Sequence, residues 1–104
     1  MIKSIVFKEA AELVLKGNWT RRPSRYQTCA YIALYDAFLE HEDTMMDLDD
    51  YLDLFTLFIK QDVPQGISII STIWHWNDAP GMSAGYVSYI LSAAAREVNR
   101  IKEG

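Results

Sequence analysis

Along most of the chain, apolar residues recur at threes and fours with polar residues between them, the spacing of amphipathic helices. The clearest run follows Trp74-His75-Trp76-Asn77-Asp78-Ala79-Pro80-Gly81-Met82-Ser83 and extends to Lys102. In it Ala84, Val87, Ile90, Leu91, Ala94, Val98 and Ile101 share one face, with Ser88, Ser92, Arg96 and Asn99 opposite. Ser83 is placed to cap this helix, its hydroxyl taking an N–H that the first turn leaves unpaired. Just before it, Asn77 and Asp78 favour a turn, because each side chain reaches a backbone N–H two residues on. Pro80 removes a donor and biases Ala79 towards an extended conformation. Trp76, Asn77, Asp78, Pro80, Gly81 and Ser83 therefore read as one structural turn between two helices.

Three further patterns precede it. Residues 4 to 16 carry Ile5, Val6, Ala10, Leu13 and Val14 on one side and Lys8, Glu9, Glu12 and Lys16 on the other, with Gly17 placed to end a helix. Ser24 with Gln27 three later is a capping-box signature, so a second helix is predicted from there to about Glu40. Its apolar positions are Tyr26, Cys29, Ala30, Ala33, Leu34, Ala37 and Phe38. Asp47 is placed to cap a third helix that buries Leu48, Tyr51, Leu52, Phe55, Phe58 and Ile59 and turns Asp49, Asp53, Thr56 and Lys60 outward. Pro64 and Gly66 break the chain after it. The piece from Ile67 to Trp76 holds four isoleucines, which favours a strand by propensity, but Ser68, Ser71, Thr72 and His75 share a helical face. Periodicity decides for a short helix. The expected fold is all-α: one domain, residues 1–104, a compact bundle of four or five helices around Trp74, Trp76 and the aromatics of helices two and three.

Composition narrows the function classes. The formal charge of −4 argues against a general nucleic-acid binder, which is usually basic. A single cysteine leaves no internal disulfide and suits a reducing compartment. The first residues are charged too early for a signal peptide, and no apolar stretch approaches the roughly 20 residues that cross a bilayer. The expectation is a cytoplasmic protein without membrane contact.

Chemistry-bearing residues are few. Cys29 and His75 are the pair that would supply a nucleophile and base, yet Cys29 shares an apolar face with Ala30 and Ala33, where a thiol behaves as a small hydrophobe. No metal-spaced His/Cys cluster, catalytic triad or phosphate-binding glycine loop accompanies them. No catalytic residue, metal or cofactor is expected. Asn77 and Asp78 are assigned to the turn rather than to a ligand. Trp19, Arg21, Arg22 and Arg25 form a basic cluster able to clamp a phosphate or stacked base; the plainer alternative is a solvated loop paired with the acids. Seven of the fourteen acidic residues fall between positions 40 and 53, interspersed with Met45 and Met46, which suit adaptable partner surfaces.

Three pieces of the chain carry a resemblance. They are Ala10-Ala11-Glu12-Leu13 with Gly17 and Trp19, Cys29-Ala30 with Ala33-Leu34, and Trp76-Asn77-Asp78-Ala79-Pro80-Gly81 leading to Val87. In that order they resemble an uncharacterised family of small bacterial and phage proteins. The resemblance implies a fold and an origin, and no chemistry. The leading expectation is a non-enzymatic phage or mobile-element accessory protein that binds a host protein through residues 40 to 53: Glu42, Asp43, Met45, Met46, Asp47, Asp49, Asp50 and Asp53. The alternative is a small-molecule or nucleotide-binding module built on Trp19, Arg21, Arg22 and Arg25. A homodimer is also expected, because the aromatics exceed what a domain of this size readily buries.

Overall fold

A computed structural model describes residues 2–19, 27–42, 47–59, 66 and 68–103. The expected cap Ser24, the apolar Tyr26, Lys60 and Pro64 lie outside the described residues, as do Arg21, Arg22, Arg25, Asp43, Met45 and Met46. Among the described residues the chain forms α1 (Ser4–Lys16), β1 (Asn18–Trp19), β2 (Gln27–Thr28), α2 (Ala30–His41), α3 (Leu48–Phe58), α4 (Ile69–Asn77) and α5 (Ala84–Glu103). It is an all-α bundle, with one parallel pair of two-residue strands, Asn18 opposite Gln27 and Trp19 opposite Thr28. No helix among the described residues is long and apolar enough to cross a membrane.

α1 is the central element, packing most extensively on α5 and α2. That position explains where the one-sided pattern misplaced residues. Val6, Phe7, Ala10, Ala11 and Val14 are buried, whereas Ile5 is 42% exposed. A helix with neighbours on two sides buries a wider arc than one resting on a single surface, and Phe7 and Ala11 fill the extra width. The small side chains of Ala10 and Ala11 let α5 approach closely, and Ser88 of α5 donates to the Ala11 carbonyl at 3.0 Å. Ser88 was expected outside; it is buried because that bond satisfies its hydroxyl. Ile101, expected inside, is 61% exposed at the far end of α5. Thr56 is likewise buried on α3, its hydroxyl bonded to the Asp53 carbonyl at 2.7 Å.

α2 starts at Ala30, not near Ser24. Gln27 is held extended against Asn18, so the Ser24/Gln27 capping box does not begin the helix. From Ala30 onward the predicted face holds, with Ala33, Leu34, Ala37 and Phe38 all buried. Gly17 serves a close approach: a Cβ there would sit 2.9 Å from the Leu13 carbonyl oxygen and 3.1 Å from a methyl carbon of Thr28. α3 opens at Asp47, but its carboxylate makes no cap bond. Its backbone is already helical, φ −81° and ψ −11°, so the side chain is not aimed at the first N–H groups as an extended cap residue's is.

α4 confirms the helical reading of the isoleucine-rich piece. Ser68 caps it by accepting from the Ser71 amide at 3.0 Å. Beyond Asn77, the Met82 amide bonds the Ala79 carbonyl at 3.2 Å, and Gly81 has φ +85°. Proline then glycine with positive φ between those two residues is a type II turn. Ser83 caps α5 as expected, accepting from the Tyr86 amide at 3.2 Å. The two indoles part company. Trp76 is 9% exposed and meets Phe55 edge-on at 5.5 Å, while Trp74 is 48% exposed against the edge of Tyr31. With Ile73, Trp76 and Asn77 on the inner face of a nine-residue helix, Trp74 points to the other side. The core is built on Trp76 alone, with Phe7, Phe38, Tyr51 and Phe55.

Candidate functional site

The three pieces that carried the resemblance converge on the N-terminus of α2. Asn77 closes α4 and is fully buried. Its side-chain oxygen accepts from the Trp19 indole at 2.8 Å and from the Ala30 amide at 3.0 Å. Ala30 is the first residue of α2, so its N–H has no partner within the helix. Asn77 thus caps a helix 47 residues away and ties β1, α2 and α4 together. The sequence assigned Asn77 to a local turn. Its helical position sends the side chain inward instead, and the turn rests on Pro80 and Gly81.

Cys29 lies beside this junction and is 1% exposed. Burial pushes its thiol above the ordinary range; the Ile32 and Tyr31 amides at the start of α2 pull the other way, and Asp78 adds to the rise. An activated cysteine needs a neighbouring cation or base. Among the described residues the charged group acting on it is a carboxylate, Asp78. His75 stands exposed on the outer side of α4, and no hydrogen bond joins it to Cys29 among the described residues. These surroundings suit a core thiol. Among the described residues no group of three or more His, Cys, Asp or Glu is placed to hold a metal ion.

The opposite end of α2 is charged. Lys3 Nζ lies 2.9 Å from Glu42 and 2.8 Å from the His41 carbonyl oxygen, while the Lys3 amide donates to the Tyr51 hydroxyl at 2.8 Å. Lys3 holds the Glu42 carboxyl below its usual range against desolvation, helped by Asp47 and Tyr51. Burial pushes the Tyr51 phenol up to about 12. The Glu42 side chain is only 5% exposed. Sequence reasoning placed Glu42 on a docking surface; the structure turns it inward onto Lys3. His41 adds a 2.6 Å contact to Glu9.

Of the remaining acidic residues, Asp49, Asp50 and Asp53 stand exposed on α3, and Asp47 is half-buried. No ion pair engages Asp49, Asp50 or Asp53 among the described residues. Leu57 follows Asp53 by one turn and is 73% exposed. Asp43, Met45 and Met46 lie outside the described residues. Of the alternative cluster only Trp19 is described, half-buried and with its one polar atom committed to Asn77.

A concave feature between two helices was not anticipated. A cleft of about 430 Å³ between α1 and α2 is lined by Glu9, Leu13, Asp36, Leu39 and Glu40. Leu39 was invisible to the pattern search because it is an apolar residue on a polar face, 51% exposed. Desolvation raises the Asp36 carboxyl above its ordinary value.

The model of the Family of unknown function (DUF6197) matches residues 3–97, and the chain belongs to that family. Neither a curated protein nor a solved structure matches the chain.

Proposed function

We propose that this member of DUF6197 is a binding protein without chemistry of its own, whose acidic α3 face docks on a basic surface of another protein. One observation carries it: Asp49, Asp50 and Asp53 are exposed and unpaired among the described residues, beside a leucine that is 73% exposed. Unpaired like charges alone would favour solvent, but an adjoining exposed apolar side chain adds area whose burial stabilises a complex. The surroundings of Cys29 weigh against a nucleophilic enzyme. The resemblance to small bacterial and phage proteins supports a host protein as partner and the host cytoplasm as the place of action. Tyr86 and Tyr89, 49% and 60% exposed one turn apart on α5, support a homodimer as a further proposal, which sedimentation at high concentration tests by mass.

The test is recovery of partners from host lysate with wild type and with Asp49→Asn/Asp50→Asn/Asp53→Asn. The wild type retains a partner at low salt and loses it as salt rises, because exposed charges are screened; the triple variant does not retain it. The same partners recovered equally by both proteins would remove the role.

A further inference from the structure

We propose that the cleft between α1 and α2 is a docking site for a basic segment of a protein partner, one arginine or lysine side chain of which lies in it. The cleft combines two properties that rarely serve folding together. Part of its lining is apolar, Leu13 from α1 and Leu39 from α2, and Leu39 is left 51% exposed. The rest of the lining is three acidic residues, Glu9, Asp36 and Glu40. Glu9 is engaged by His41 at 2.6 Å, whereas Asp36 and Glu40 have no ion-pair or hydrogen-bond partner among the described residues.

Asp36 shows the imbalance most directly. Its carboxyl is pushed up by desolvation, and among the described residues no neighbouring cation acts to bring it back. A charge moved partly out of water without compensation costs free energy. The guest that removes this cost and also covers the leucines has an aliphatic stem and a cationic head. Arginine and lysine have that form, their methylenes lying on apolar surface while the charged end meets carboxylates. The volume of about 430 Å³ is within the roughly 300–1,000 Å³ of ligand clefts. An anion is repelled by the carboxylates, and a bare inorganic cation leaves the leucines uncovered. This goes beyond the α3 reading, since it rests on two other helices.

The experiment uses the full chain, ¹⁵N-labelled, titrated with a synthetic peptide alternating arginine and leucine. Comparators are the same peptide with glutamate in place of arginine, and spermidine. The expected result is amide shifts at Glu9, Leu13, Asp36, Leu39 and Glu40 with the basic peptide alone. Affinity falls about tenfold in Asp36→Asn/Glu40→Gln, where two partly exposed charge contacts are lost. It is unchanged in the Asp49/Asp50/Asp53→Asn variant, so failure of the α3 reading and failure of this one are told apart. Both replaced side chains of the cleft variant are exposed, and an unchanged thermal midpoint verifies its fold. Shifts confined to α3, undiminished binding by the cleft variant, or equal shifts with spermidine or the glutamate peptide would each overturn the proposal.

Discussion

The two ends of α2 are fastened by opposite kinds of chemistry. At the N-terminal end a neutral amide, Asn77, accepts from Trp19 and Ala30 inside the core. At the C-terminal end an ion pair, half-exposed Lys3 with inward-turned Glu42, and a buried phenol, Tyr51, do the fastening. A neutral acceptor has no protonation state to change between pH 3 and 11, so its bonds are indifferent to pH and costly to leave unmade. A charged fastening is weakened by screening and by protonation. One helix therefore has one end whose hydrogen bonds do not titrate and one whose fastening does.

The largest expected effect comes from breaking the Asn77 end. Asn77→Ala leaves the Trp19 indole N–H and the Ala30 amide without their acceptor, and each buried unpaired donor costs about 1–3 kcal/mol. Destabilisation of about 2–4 kcal/mol is expected in urea unfolding, a large share of a small domain's stability. Trp19→Phe sharpens the point, because it removes one donor and keeps the Ala30 bond; its loss should be clearly smaller. If Asn77→Ala costs less than Trp19→Phe, the amide is not what holds that end.

The charged end should give the next effect, and its sign can be worked out. Glu42 is held below its ordinary value, so the unfolded chain takes up the proton first. Its contribution is present above the unfolded value near pH 4.3 and is lost as pH falls through the folded value. Tyr51 is displaced in the other direction, to about 12. Its contribution is complete below the unfolded value of about 10 and is lost as pH rises towards the folded one. Glu42→Gln should flatten the acid limb of stability against pH, and Tyr51→Phe the alkaline limb. Tyr51→Phe also costs about 1 kcal/mol at neutral pH, since the Lys3 amide loses its acceptor. Throughout, the Trp19 indole resonance should stay in place until global unfolding; early movement with pH would erase the contrast between the ends.

The helices were legible because burial follows period: the α2 face from Ala30 to Phe38 and the Ser83 cap stand where spacing put them. The departures share a cause. Ser88 and Asn77 are polar side chains whose partners lie 77 and 47 residues away in the chain, and nothing in a local window shows that such a partner exists. Gln27 kept the letters of a capping box while Asn18 paired with it in a strand. Trp74 and Trp76 look alike in sequence, and only the position of α2 and α3 separates the covered indole from the half-covered one. The cleft was out of reach for the same reason, since its leucines and carboxylates come from two helices and neither half is unusual alone.

The smallest effect on stability, and the finest probe of the Asn77 end, comes from Cys29. The thiol is 1% exposed and shifted towards its protonated form, so the native protein at pH 8 should react with a thiol reagent far more slowly than the urea-unfolded chain. Reaction then requires the α2 N-terminus to open, and its rate reports how often that happens. Asn77→Ala should raise the rate of native-state labelling, whereas Glu42→Gln, acting at the other end of the helix, should leave it near the wild-type rate. Fast labelling of the wild type, comparable with the unfolded chain, would mean the thiol is reachable, and labelling faster than the unfolded chain would mean it is activated and return Cys29 as a candidate nucleophile. Equal acceleration by both variants would show instead that α2 opens as a single unit, and the two fastenings would count as one.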